Sequence, residues 1–417
     1  MATQKAEHVV ALILAILGTA CASTEEQADS TVRSDAAPGR VTPQDLHDGD
    51  ATDPDLAGPH DAAGPAMSLP RTRAARAIAA ADEAAFARFS ELASFAGAGV
   101  PEPGSALIGR NRIWGELFSP RFQVGAGFAV RIAAAAGQQE ALRRAFAAVE
   151  VGLRDQAPDG SLPSRVPDFV GMGAQPGSAD AASAVAFFLQ DACPALLALD
   201  VADPAGELIS VGERNTVIVG LGAAVSWLET QTVLLEEVDA TAPNRLLHDG
   251  LAFQACGLLT RMPSAFKLAE RFVDLALAFT REDGVLVEAG GADTSYQAVS
   301  IEQILGLVLA QYDDSDGRLS TVLETGLRWL EGKVGADGRV DSTGNTRTCG
   351  GCEVFLPGDP PKEVSVSAVI RALAYGSVVQ GIIEEDAADR FIGWLRTAPE
   401  TSCFEDDGNG GLGPTTC

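Results

Sequence analysis

The stretch REDGVLVEAGGADTSYQAVSIEQ, from Arg281 to Gln303, joins two segments whose apolar residues repeat with helical spacing. Asp283-Gly284 is typical of a turn, and Gly290-Gly291 lets the backbone bend freely. Polar residues then gather just before the next predicted helix, namely Glu288, Asp293, Ser295, Tyr296 and Gln297. Because loops carried on a rigid frame are the usual place for binding and catalytic residues, this stretch predicts a helical frame with a functional loop.

Apolar residues follow a helical period along most of the chain after residue 70. Leu323, Leu327, Leu330 and Val334 step by four, three and four, which places them on one face of a helix. No convincing run alternates with the period of two that a half-buried strand shows. We predict an all-α fold of roughly eleven helices in stacked hairpins. One of these helices is expected over 211–237, and a polar loop over 109–116.

A degenerate repeat supports the hairpins. A predicted helix is followed by Asp-Gly and then by an apolar residue at Asp159, Asp283 and Asp337. The last two positions lie 54 residues apart, which fits one two-helix hairpin with its loops.

Composition limits the function classes. The chain has 417 residues, of which 46% are hydrophobic, enough for one large domain or two ordinary ones. Lys and Arg number 30 against 57 Asp and Glu, a formal net charge of −27. Nucleic-acid binding relies on basic groups at phosphates, so nucleic acid is excluded as an expected partner. A local basic cleft can still bind an anion.

The first 21 residues are typical of a signal peptide. An apolar run over 9–17, too short to span a bilayer, ends in Gly18-Thr-Ala-Cys21. This ending resembles a bacterial lipobox, which implies that Cys21 carries a lipid anchor; secretion with simple cleavage is the alternative. Residues 22–68 have few large apolar side chains and are expected to form a disordered acidic linker. The predicted location is the bacterial cell envelope, either lipid-anchored or periplasmic.

Six further cysteines are an even number, as expected of an exported chain with disulfides. They are Cys193, Cys256, Cys349, Cys352, Cys403 and Cys417. Cys349-Gly-Gly-Cys352 also fits a zinc half-site or a redox pair, but no second close pair completes a zinc site. We therefore expect structural disulfides, with no metal and no cofactor. The folded domain is predicted over 69–398, followed by a Cys- and Gly-rich tail over 399–417.

Three loops resemble those of α/α-toroid enzymes of the chondroitin AC and alginate lyase type. They are Asp283-Gly-Val-Leu286, Gly290 to Gln297 (GGADTSYQ) and Asp337 to Arg347 (DGRVDSTGNTR). The resemblance covers about residues 70 to 398. It implies an α/α toroid, an incomplete barrel of about five helical hairpins, that cleaves an acidic polysaccharide by β-elimination. Lyases of this type often use a histidine, and the folded region here holds only His248.

A uronate lyase needs a base, a group that neutralises the sugar carboxylate, and an acid for the leaving oxygen. Among the residues of the predicted loops, Tyr296 is the candidate base, and Asn345 and Arg347 are the candidate carboxylate clamp, with His248 and Asn244 as alternates. The candidate substrate-binding residues are Asn244, Asp293, Gln297, Arg110 and Trp114.

Structural roles compete with these assignments. Asp293 precedes a predicted helix and fits an N-cap, and Asn345 with Arg347 can hold their own loop. Two rival functions stay open. A glycoside hydrolase needs two carboxylates at one cleft, with Glu288, Asp293, Asp341 and Glu353 as candidates. The other rival is a surface lipoprotein that binds a glycan or scaffolds a partner without catalysis.

Overall fold

The computed structural model describes residues 68–114, 117–166, 179–349, 352–354, 361–379, 386–397, 404–406 and 412–414. The predicted signal peptide, its Cys21, nearly all of the linker, and Cys403 and Cys417 lie outside these ranges. Fourteen α-helices make up most of the described part, which confirms the all-α prediction. The strands β1 (Phe404–Asp406) and β2 (Leu412–Pro414) form one short antiparallel pair.

The first seven helices are α1 (Ser68–Arg88), α2 (Leu92–Ala96), α3 (Gly109–Trp114), α4 (Ala126–Ala135), α5 (Gln139–Leu153), α6 (Ala179–Ala202) and α7 (Val211–Glu229). The others are α8 (Thr232–Asp239), α9 (Pro243–Thr260), α10 (Pro263–Leu277), α11 (Thr294–Leu309), α12 (Arg318–Gly332), α13 (Val366–Val379) and α14 (Asp386–Thr397). Short 3-10 turns occupy Gly97–Gly99 and Pro120–Gln123.

Two predicted elements differ from the structure. The expected helix over 211–237 is divided into α7 and α8, which are bent by 74° relative to each other. Thr230 and Thr232 donate side-chain hydrogen bonds to the carbonyls of Trp227 and Glu229 at 2.6 and 2.7 Å. Such bonds compete with helix continuation, which explains the break. The expected polar loop over 109–116 contains the short helix α3.

The helix α6 is the centre of the core. It packs against α1, α4, α7, α8 and α9. It is also one helix of the described part that is long and apolar enough to cross a membrane, but 89% of its apolar segment is buried inside the fold. A disulfide between Cys193 of α6 and Cys256 of α9 joins two core helices, with the Cα atoms 5.2 Å apart.

Consecutive helices pack in pairs: α4 with α5, α6 with α7, α9 with α10, α11 with α12, and α13 with α14. The first helices of these pairs also neighbour one another in the order α4, α6, α9, α11, α13. The helix α1 contacts both α4 and α13, where the side chain of its Asp82 bonds Arg131 and Tyr375. The beginning and the end of the helical domain therefore meet.

Candidate functional site

Two loops that are distant in sequence meet at the start of α11. Asp293 is the N-cap of this helix, and its carboxylate accepts hydrogen bonds from the amides of Ser295 and Tyr296. The same carboxylate accepts bonds from the amides of Arg347 and Thr348 at 2.9 and 2.8 Å. Asp293 is 1% exposed. One buried carboxylate thus orders the helix start and the 344–348 loop together.

Two of the predicted site residues have amide groups that serve the same junction. Asn345 accepts from the amide and hydroxyl of Thr294 and donates to the hydroxyl of Thr348 at 2.8 Å. Gln297 accepts from the amide of Leu286 and donates to the carbonyl of Gly284. The Asp-Gly turn and the Gly344 loop are therefore both fastened to α11.

Five charged or aromatic side chains form what we call the rim cluster: Glu288, Tyr296, Arg347, Glu353 and Lys362. Arg347 bonds Glu288, forms two hydrogen bonds with Glu353 at 2.6 and 3.0 Å, and lies 3.9 Å from the centroid of the Tyr296 ring. Lys362 Nζ lies 3.0 Å from Tyr296 Oη and 2.9 Å from Glu353. The structure thus brings the predicted base and the predicted clamp arginine into contact.

The two carboxylates of the rim cluster differ in character. Burial works against the ionisation of Glu353, but hydrogen bonds from Arg347 and Lys362 outweigh it and lower its pKa to about 2. Glu288 is 2% exposed, and burial raises its pKa although Arg347 opposes the shift. Glu353 is therefore a fixed anion at neutral pH.

A cleft of about 460 Å³ opens beside the rim cluster. Arg245, Glu288 and Arg347 contribute its charged lining, and Phe279 contributes an apolar wall. Arg245 is held by Asp239 at 3.1 Å. The cleft therefore combines cations and apolar surface on a chain that is acidic as a whole.

The first turns of α9 carry a buried polar group. His248 is 5% exposed, and its ring centroid lies 4.3 Å from that of Phe187. Burial, and then the charges of Arg121 and Arg245, lower the pKa of His248 to about 3, so its imidazole is neutral at neutral pH. Asn244 lies one turn earlier on the same face of α9 and is 4% exposed.

Sequence reasoning missed Arg121, which contacts the Phe187 ring beside His248. Its guanidinium lies 4.3 Å from the centroid of the Phe187 ring. The turn that carries it is held by Asn111, which bonds Ser119 and Gln123 at 2.8 and 3.0 Å. No local pattern marks Arg121, because its neighbours come from α6 and α9.

The remaining predicted residues have other surroundings. Arg110 is on α3, which packs against the turn of Arg121, and the side chain of Trp114 is not among those described. Asp341 accepts from Thr343 and pairs with Lys333 on an exposed loop. Of the four hydrolase candidates, Glu288 and Glu353 share Arg347, whereas Asp293 is used as a cap.

Within the described residues, no group of three or more His, Cys, Asp and Glu side chains is placed to hold a metal ion. Cys349 and Cys352, the residues of the possible zinc half-site, are paired with each other. No protein-family model, no curated protein and no solved structure matches this chain.

Proposed function

We propose that this chain is an exported α/α-toroid protein that binds an acidic polysaccharide at the rim cluster and cleaves it by β-elimination. The observation that carries the proposal is the placement of Tyr296, whose Oη is 3.0 Å from Lys362 and whose ring lies against Arg347. A phenol that must carry negative charge as a base needs neighbouring cations, and both are present.

In the proposed reaction, Tyr296 removes the proton beside the carboxylate of a uronic acid residue. The resulting carbanion forms a double bond as the glycosidic C–O bond breaks. The proton then passes from Tyr296 to the leaving oxygen, so that atoms and electrons balance. Cations at the site stabilise the negative charge that develops on the carboxylate.

The toroid is supported by the order in which the helices pack. In the five helix pairs, the first helix of each pair lies beside the first helix of the next, which gives an arc from α4 to α13. The helix α1 contacts both ends of this arc. Hydrogen bonding between Ser365 and Ser295 also joins the starts of α13 and α11 at the side of the rim cluster. A site at one end of an incomplete barrel agrees with this arrangement.

Export and a lipid anchor at Cys21 belong to the same proposal. The paired Cys193 and Cys256 support it, because disulfides persist in oxidising compartments. Mass analysis of the N-terminal peptide of the isolated protein tests the anchor. An unmodified Cys21 at the end of the mature chain would contradict it.

Glycan binding without cleavage is the second candidate function, and one observation favours it. Arg347 is already bonded by the carboxylates of Glu288 and Glu353, and Asn345 is occupied by Thr294 and Thr348. The predicted carboxylate clamp is therefore engaged within the protein. A binding protein needs only the cleft and its cations.

Tyr296→Phe separates these functions. Against a panel of uronate polysaccharides, we expect the wild type to produce the ultraviolet absorbance of an unsaturated sugar, and the variant to lose about a hundredfold or more in rate. Tyr312→Phe is the matched control, because Tyr312 follows the opposite end of α11. Binding without absorbance identifies a binding protein, and new reducing ends without absorbance identify a hydrolase.

A further inference from the structure

A group of five residues behind the rim cluster forms what we call the Arg121 pocket: Arg121, Phe187, Asn244, His248 and Gln303. The Phe187 ring contacts both the Arg121 guanidinium and the His248 imidazole, each at 4.3 Å. Gln303 of α11 lies beside His248. Segments that are far apart in sequence thus place polar side chains next to one another.

Arg121 differs from the other arginines of this region. Arg131, Arg245, Arg347 and Arg371 are each paired with a carboxylate, namely Asp82, Asp239, Glu288 and Glu302. In the described part of the chain, Arg121 has no carboxylate within ion-pair distance; its close contact is the Phe187 ring. Burial, and then the like charge of Arg245, lower its pKa to about 10, so it stays a cation at neutral pH.

Three other polar atoms of the pocket lack a hydrogen-bond partner. Asn244 Oδ1, His248 Nδ1 and Gln303 Oε1 have no hydrogen-bond partner among the described residues. The three side chains are 4%, 5% and 3% exposed. A buried polar atom without a partner costs free energy, so such a group indicates a place where a ligand or water completes the hydrogen bonds.

Together these atoms specify a ligand. A guanidinium matches a carboxylate, which it can bind through two parallel hydrogen bonds. Buried polar atoms without partners match hydroxyl groups, which both donate and accept hydrogen bonds.

We propose that the Arg121 pocket is a subsite for one uronic acid residue: Arg121 pairs with the carboxylate, and Asn244, His248 and Gln303 form hydrogen bonds with ring hydroxyls. This deepens the proposed function and rests on it for the polymer. The specificity is for a hydroxylated carboxylic acid, and a neutral sugar leaves Arg121 unmatched.

Calorimetric titration with monomeric uronic acids tests the subsite. The probes are glucuronate, galacturonate, mannuronate, guluronate and iduronate, each beside its neutral parent hexose. We expect at least one acid to bind about tenfold or more tightly than its parent, and Arg121→Gln to remove that difference. Arg121→Lys keeps the charge and is expected to retain part of it.

Arg112→Gln is the matched control, because Arg112 is exposed on α3 and its loss should leave acid binding unchanged. The melting temperature of each variant shows whether it is folded. Absence of acid binding to the wild type overturns the subsite, as does acid binding that Arg121→Gln leaves intact. Polymer cleavage at the wild-type rate in Arg121→Gln also overturns the subsite while the proposed function stands. Monomer binding through Arg121 without affinity for any polymer overturns the proposed function and supports the subsite.

Discussion

At the scale of single residues, burial controls the protonation state of groups in the site. His248 stays neutral because it is buried away from water and lies among arginines, which together lower its pKa from 6.5 to about 3. In the unfolded chain the same imidazole takes up a proton near its ordinary pKa. The native state therefore loses stability relative to the unfolded state as the pH falls below 6.5, until the pH reaches about 3.

His248→Gln should remove this part of the pH dependence. Between pH 6.5 and pH 4 we expect the free energy of unfolding of the wild type to fall, relative to the variant, by about 1.4 kcal/mol per pH unit. Urea denaturation at a series of pH values measures it. Above pH 7.5 both chains are uncharged at this position, so their difference should be constant there. Parallel curves down to pH 4 would show that His248 takes up its proton in the folded state.

At the scale of elements, a single N-cap has two roles. Asp293 starts α11 and also holds the amides of Arg347 and Thr348. The Asp293 carboxylate thus bonds the backbone amides of both Tyr296 and Arg347. The contact between the side chains of these two residues therefore depends on Asp293. The geometry of the rim cluster and the stability of α11 are coupled through this carboxylate.

Asp293→Ala should lower the free energy of unfolding by about 1–2 kcal/mol, the usual loss for an N-cap, and should also weaken uronate binding or cleavage. Ser210→Ala is the control, because Ser210 caps α7 through a capping box. It should lower stability similarly without changing the activity on uronates. Thermal melts and the uronate assays together decide, and equal activity in both variants would contradict the coupling.

Helical period was enough to predict most elements; in α12, for example, Leu323, Leu327 and Leu330 are buried as the pattern predicts. For Asp293 the sequence allowed a helix N-cap or a substrate-binding residue, and the structure shows the N-cap. The bend between α7 and α8 and the pocket around Arg121 were missed. The bend comes from the local bonds of Thr230 and Thr232. The cause of the pocket is not local, because only tertiary packing brings Phe187 and His248 near Arg121.

At the scale of the whole molecule, two fully buried cysteines connect the two central helices α6 and α9. The disulfide closes a segment of 63 residues. In the chain-entropy account, such a crosslink stabilises mainly by restricting the unfolded chain, and more so for longer segments. The pair Cys349 and Cys352 spans only three residues.

Replacing Cys193 and Cys256 together by alanine should therefore lower the free energy of unfolding by about 4 kcal/mol. The matched double replacement of Cys349 and Cys352 should lower it by about half as much, because its loop is short. Chemical denaturation of both variants under oxidising conditions measures the losses. An equal loss from both pairs would contradict an origin in loop length.

The bond between Asp82 and Tyr375 spans 293 positions of the chain. A ribosome releases Asp82 and its other partner, Arg131, long before it has made Tyr375, so the bond to Tyr375 forms only after nearly the whole domain is synthesised. Bringing such distant groups together is slow compared with forming helices. The packing of α1 against α13 therefore forms only when the polypeptide is nearly complete.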